Sequence, residues 1–407
     1  MSVTATRLRR IAQPLQHRNF RLLWAGQSVS LFGSSLHSVA LPFQILAIGG
    51  GALQLGIGIA IGSISSMILV LFGGAIVDRL PRRRIILLTD LVSGSVVSLI
   101  GVLGVTGALR IEHLYVEAAI LGAALAFFNP AITAIIPEFV PRDVLVSANA
   151  LRSLSRNTAR IGGPAVGGVL VAALGPSPAF LIDGATFFVS YFALLRTRPV
   201  SVTAARPGRL LQQVRAGLHF TLSKPWIWVT VAGFAVMNAA IFGPLQVALP
   251  ILVRDALGAD AQAYGALLAA MGVGAVVGDL SVGAFRVRRT GVTMYGLAAL
   301  TGCSLAGFGI APHFPVLVLL AATAGCAIAA FGVLWDGALQ RHVPDEFLGR
   351  VASVDSFGSM LLGPVAPLVF AGLVSVLGPL VVFPIGGLVV VMYSMGALLV
   401  RSIRQLE

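Results

Sequence analysis

Uninterrupted apolar stretches of about twenty residues recur along this chain, and nothing else in the sequence restricts its fold as severely. Wound as a helix, such a stretch crosses the ~30 Å hydrocarbon core of a bilayer. In lipid every backbone N–H and C=O must be satisfied within the structure, which leaves helices or a closed barrel. Alternation at period two is absent, so the barrel is a poor reading. Composition agrees, at 57% hydrophobic and 11% charged residues with a mean hydropathy of +0.94. That is too little charge to cover a soluble protein of 407 residues. Spans are expected at 22–48, 54–77, 85–107, 114–136, 145–174 and 178–195, then at 226–253, 261–284, 290–311, 315–338, 351–374 and 379–400. The first runs to full spanning length, so no cleavable signal peptide is read there.

The net charge of +13 points at nucleic acid until its distribution is examined. With the N-terminus cytoplasmic, all but Arg110 and Arg254 of the 28 Lys and Arg fall on one side of the membrane. The positive-inside rule then sets both termini in the cytoplasm of a multi-pass inner (plasma) membrane protein, and the basic charge is topology rather than nucleic-acid binding. Cys303 and Cys326 fall inside expected spans, without metal-ligand spacing, and read as packing residues. No cofactor is expected.

The two sets of six spans resemble each other. Val39-Ala40-Leu41-Pro42 recurs as Val247-Ala248-Leu249-Pro250, each preceded by Phe-Gly. Arg82-Arg83 recurs as Arg288-Arg289, Gly163-Pro164 as Gly363-Pro364, and Leu174-Gly175-Pro176 as Leu377-Gly378-Pro379. The expected fold is therefore an all-α membrane protein of twelve transmembrane helices in two parallel six-helix repeats. Its domains are an N-terminal half, 1–195, and a C-terminal half, 225–407, joined by a basic cytoplasmic linker, 196–224. Within the linker Leu210, Leu211, Val214, Leu218 and Leu222 share one helical face, as in a short amphipathic helix on the membrane surface; a solvated tether is the alternative. Parallel repeats of this kind place a substrate path at the bilayer midplane and work by alternating access.

After span 2 comes Gly73-Gly74-Ala75-Ile76-Val77-Asp78-Arg79-Leu80-Pro81-Arg82-Arg83-Arg84. It resembles the loop motif between spans 2 and 3 of the major facilitator superfamily, with Pro81 where that family usually has Gly. The resemblance implies a conformational gate carried by Gly74, Asp78, Arg79, Arg82 and Arg83. The second copy has Ala284-Phe285 in place of Asp-Arg, which implies an asymmetric gate. In span 5, Gly163-Pro164-Ala165-Val166-Gly167-Gly168 is similar to the antiporter motif of drug:proton exporters in that superfamily. It implies an antiporter-like role for Gly163, Pro164, Gly167 and Gly168, with tight contact across the half interface, although Ala159 and Ala150 replace upstream glycines. A packing role is the alternative. Asn19-Phe20-Arg21, Ala148-Asn149-Ala150-Leu151 and Phe180-Leu181-Ile182-Asp183 resemble the branch holding macrolide-type drug exporters and catecholate-siderophore exporters. The Arg that many proton-linked exporters carry in span 4 is absent here.

Ionisable residues at membrane depth are costly and default to functional candidates. Asp183 stands inside span 6 with no cation adjacent in sequence, and His37 stands near the middle of span 1; both are candidates for proton coupling, or for hydrogen bonds that only tie helices together. Asp90, Glu117, Asp279, Asp336 and Asp355 read as interfacial, with Asp90 and Asp355 in reach of arginines. Gln27, Ser30, Ser34, His37, Ser38 and Gln44 occupy one arc of span 1. Gln27, Ser34 and Gln44 are thus candidates for the substrate path, with Asn238 of span 7 as their counterpart.

These features lead to a secondary active exporter of amphipathic small molecules, drug- or siderophore-like, that works by proton antiport. The expected partners are a small-molecule substrate, the proton gradient and the lipid bilayer, and the expected state is a monomer. No phosphate-binding Gly-rich loop is present to draw on ATP. A solute importer of the same fold, by symport or facilitated diffusion, stays open, as does a membrane scaffold or sensor. No nucleophile or metal constellation supports an enzyme.

Overall fold

A computed structural model describes residues 12–77, 80–198, 210–284 and 287–407. Among them every regular element is helical. The first six long helices are α1 (Arg18–Ala47), α2 (Ala52–Val77), α3 (Arg82–Val105), α4 (Ile111–Ala134), α5 (Leu145–Leu174) and α6 (Pro176–Leu195). After α7 (Leu210–Ser223) come α8 (Pro225–Gly243), α9 (Ala261–Ala284), α10 (Thr290–Ile310), α11 (Phe314–His342), α12 (Asp345–Met360), α13 (Ala366–Leu377) and α14 (Pro379–Ala397). Among the described residues ten spans are long and apolar enough to cross a membrane, namely α1 to α4, α6, α8 with its extension to Ala256, α9 to α11 and α14. The other two expected spans are α5, whose N-terminal half carries Arg152, Arg156 and Arg160, and the α12–α13 pair.

Contacts divide the chain into two compact units, Met1–Gly50 with Ile61–Ala205 and Gly51–Ala60 with Arg206–Glu407. In the first, α6 packs on α1 and α3, α1 also packs on α5, and α3 on α4. Phe20, Leu23, Ile86, Ile135, Phe139 and Leu194 form an apolar core at the end of this unit where the α4–α5 connection lies. In the second, α9 packs on α11, α10 on α11 and α14, and α8 on α12, α13 and α14.

The repeat is visible in backbone angles. Gly175 and Gly378 close α5 and α13 at φ 80°, ψ 169° and φ 81°, ψ 164°, a region only glycine occupies without strain. Pro176 and Pro379 then open the next helix at its first position, where no N–H is needed.

The repeat fails at its other proline. α5 runs unbroken through Pro164, whereas the matching helix stops at Met360 and restarts at Ala366, around Gly363-Pro364. Pro364 has no N–H for the carbonyl of Met360, and the Gly363 N–H takes that carbonyl instead at 2.9 Å. The carbonyl of Ser359 loses its helical partner as a result. Asn238 of α8 replaces it, donating from Nδ2 at 3.3 Å. Beyond Gly243, α8 widens into π turns at Pro244–Ala248 and Leu252–Ala256, each beside a proline that removes a ladder bond.

Candidate functional site

The α1–α6 seam brings the two coupling candidates together. His37 Nδ1 lies 3.3 Å from Asp183 Oδ2 and 3.8 Å from Glu117 Oε1 of α4. Glu117 and Asp183 are each only 1% exposed. The imidazole packs edge-on against Phe180, with ring centroids 4.9 Å apart. The Thr186 hydroxyl donates to the Asp183 carbonyl at 2.7 Å and stands 3.4 Å from Oδ1. Room for the carboxylate comes from Gly33, where a Cβ would collide with Thr186 Oγ1 and Asp183 Oδ1. Three helices thus deliver two carboxylates and one imidazole to one buried point. There the number of protons held decides the net charge, in surroundings that make charge expensive.

Glu117 was expected at an interface and is instead the third member of this cluster. Its helix begins at Ile111, three residues before the expected start of the span, which carries Glu117 a turn deeper. Asp90 also departs from expectation. Among the described residues no cation pairs with it. Ser190 of α6 donates to its Oδ2 at 2.7 Å, and Gln27 of α1 donates to the same oxygen at 3.4 Å. Asp355 accepts from Trp335 Nε1 at 3.1 Å and from Ser359 at 3.4 Å rather than from an arginine.

The expected polar arc of α1 divides between two fates. Gln27 also donates to Ser190 at 2.7 Å, and Gln44 is 3% exposed and accepts from Ser177 at 2.8 Å, so both are occupied by neighbouring side chains. Ser34 is exposed. Asn238 is half-buried and engaged at the helix break described above.

The glycines of the α5 motif meet α1 of their own unit. A Cβ on Gly163 would collide with Ser35, and one on Gly167 would stand 3.1 Å from Leu36 Cα. Pro164 and Gly168 are buried beside them. In the motif after α2, Gly74 falls within that helix, while Asp78 and Arg79 lie outside the described residues. Arg82 pairs with Glu138 in the α4–α5 connection. Arg83 caps α6, donating to the carbonyls of Leu194 at 3.2 Å and Leu195 at 2.8 Å and to Thr197 Oγ1 at 3.0 Å. A cation at a helix C-terminus satisfies orphan carbonyls and the helix dipole together. Among the described residues no group of three or more His, Cys, Asp or Glu could hold a metal ion.

Residues 11–403 match the family model described as transmembrane secretion effector. The multidrug efflux pump Tap of Mycolicibacterium fortuitum is 26% identical over 351 residues, 84% of this chain and 85% of the relative. The enterobactin exporter EntS of Citrobacter koseri is 27% identical over 365 residues, 85% of each chain. Among solved structures, the nucleoside transporter NupG superposes with a TM-score of 0.74 at 14% identity, covering 94% of this chain and 98% of its own. A bacterial homologue of the iron transporter ferroportin in its inward-facing state gives 0.67 at 17% identity, covering 93% and 98%. At such identities these two structures speak for the fold alone.

Proposed function

Because the chain belongs to the transmembrane secretion effector family of major facilitator transporters, we propose that it exports amphipathic small molecules, drug- or siderophore-like, across the inner membrane by proton antiport. The observation that carries the coupling is the buried meeting of His37, Glu117 and Asp183. The direction and the substrate class draw on the named activities of Tap and EntS. Both termini lie in the cytoplasm, as the charge asymmetry favours, and the monomer is the working unit. The halves 1–195 and 225–407 alternate access about the linker 196–224.

In this reading a proton taken up by the cluster lowers its negative charge and favours one state of the transporter; its release favours the other. One proton moving through 100 mV supplies about 2.3 kcal/mol, enough to hold a neutral solute at a ratio of about fifty. Gly74, Asp78, Arg79, Arg82 and Arg83 carry the gate, and Arg82 and Arg83 also brace α3 against their own unit.

The test is flux in proteoliposomes with a panel of fluorescent amphipathic drugs. Flux should require the proton gradient and fail when an ionophore collapses it. Asp183→Asn should abolish gradient-driven flux while the protein still binds the drug. Undiminished flux in the ionophore, or in Asp183→Asn, overturns proton antiport through this cluster.

A further inference from the structure

Asp90 has no part in the mechanism so far, yet it is as buried as the coupling cluster, at 2% exposure. The groups that meet it are the neutral side chains of Gln27 and Ser190. Arg83, two turns earlier on α3, is spent on the end of α6, and Arg84 is exposed. α4 also packs on α3, but Glu112, His113, Tyr115 and Glu117 all lie in its first two turns, which the antiparallel hairpin sets against the far end of α3. On α6 the nearest acid is Asp183; on α1, Arg21 is exposed and donates to the Leu15 carbonyl, and the other ionisable group nearby is His37.

The α1–α6 seam joins Asp90 to the cluster. Asp183, Thr186 and Ser190 stand at i, i+3 and i+7 on α6, one face of a helix. Gln27, Ser30 and His37 line α1 opposite them. Gly26 and Gly33, seven residues apart, bring the backbones together at each end: a Cβ on Gly26 would stand 3.0 Å from Ser190 Cα, and one on Gly33 would meet Asp183. The fold does not demand this ladder. By the offsets of the internal repeats, the counterpart of Asp90 is Gly296 and that of Ser190 is Tyr393, which donates to the Val229 carbonyl at 2.6 Å.

We propose that Asp90 is a second proton-binding carboxylate, the station through which protons pass between the basic end of α3 and the His37–Glu117–Asp183 cluster. The inference rests on the proton-antiport reading above. When Asp90 is ionised, Ser190 donates to it. A proton arriving on the carboxylate reverses that bond: the Asp90 O–H donates to Ser190 Oγ, and Ser190 turns its own proton toward Thr186. Each transfer breaks one O–H bond and forms one. Ser190 and Asp183 are separated by about 10 Å of helix rise, with Thr186 between them, so water molecules complete the relay.

The experiment compares wild type, Asp90→Asn and Ser190→Ala in two measurements. Asp90→Asn keeps the size and hydrogen-bonding capacity of the side chain, so a purely structural tie survives it. In infrared difference spectra of purified protein across the pH range of active transport, the wild type should show a protonated-carboxyl band. Asp90→Asn should remove one component of that band, leaving the part that belongs to Glu117 and Asp183, and Ser190→Ala should shift the same component. In proteoliposomes Asp90→Asn should lower the initial rate of gradient-driven drug uptake by about a hundredfold while drug exchange at equal pH stays within about twofold. If wild-type flux ignores the gradient, the antiport reading itself falls. If wild-type flux needs the gradient but Asp90→Asn takes up drug at the wild-type rate and leaves the whole band in place, only the Asp90 station falls. Should Asp90→Asn not fold, the wild-type band and its response to Ser190→Ala decide alone, and an unmoved band refutes the proposal.

Discussion

Gly33→Ala should weaken proton coupling while leaving the protein folded. The added Cβ would stand 2.5 Å from Asp183 Oδ1 and would also press on Thr186. Ordinary contact needs about 3.5 Å, so the carboxylate must retreat by about 1 Å. That takes the 3.3 Å separation from His37 beyond the range of a close ion pair. With an effective dielectric of about 20, lengthening the pair from 3.3 Å to about 4.3 Å weakens the attraction by about 1 kcal/mol. The proton equilibrium of the cluster then changes by a factor of about five. Crowding costs about 1–3 kcal/mol, offset by about 1 kcal/mol of better helix propensity, so the net loss is about 0–2 kcal/mol. Gly296→Ala is the control: no heavy atom lies within 4 Å of its Cβ position, and it gains propensity without a clash. The assays are unfolding in detergent and gradient-driven drug flux. Both variants should fold, with flux reduced only in Gly33→Ala. Equal flux in the two refutes the claim that Gly33 exists to seat Asp183.

Gly175→Ala and Gly378→Ala should each lower stability by about 1–3 kcal/mol, read as a fall in the detergent melting temperature, because both sit at φ near +80°. Asn238→Ala leaves the Ser359 carbonyl unpartnered and should cost about 1–3 kcal/mol by the same assay; Asn238→Gln should recover part of it. Arg83→Ala should lower the melting temperature by removing the α6 cap, and Arg83→Lys should restore only a minor share, since a point charge cannot replace the forked donors. Glu117→Gln should lower gradient-driven flux while leaving drug binding intact, checked by flux and by fluorescence titration of the same sample.

What the sequence made legible follows from the length scale of each signal. The spans were readable because a bilayer demands about twenty apolar residues in a row. His37 and Asp183 stood out singly, as polar groups in apolar helices, but their meeting depends on how α1 lies against α6, which no local pattern encodes. Glu117 was misplaced because three residues at a helix start decide whether an acid is interfacial or buried. Gln27 and Gln44 were assigned to the substrate path from their helical face; the wheel gives the direction of a side chain and not the neighbour that covers it, here Ser190 and Ser177. The break around Gly363-Pro364 was likewise hidden, since the same dipeptide in α5 leaves that helix intact.

The duplication itself argues that the coupling cluster was built for function. By the offsets of the repeats, His37 corresponds to Leu245 and Asp183 to Gly386. Each seam sets a glycine of one helix against the helix opposite. In the second unit a Cβ on Gly386 would stand 2.5 Å from the Ala240 carbonyl, so α14 meets α8 at backbone distance. In the first unit the glycine is on α1, at Gly33, and the opposite helix spends the space on a carboxylate. Hydrophobic packing and small residues are therefore sufficient to hold such a seam. An acid there gives up stability that the duplicate retains, because a buried charge must be compensated. Converting the seam to its partner's chemistry, with His37→Leu and Asp183→Gly in one chain, should leave a protein that folds, inserts and melts near the wild-type temperature but no longer couples flux to protons. Loss of folding in both that double variant and Asp183→Asn would mean that the acid serves the architecture instead.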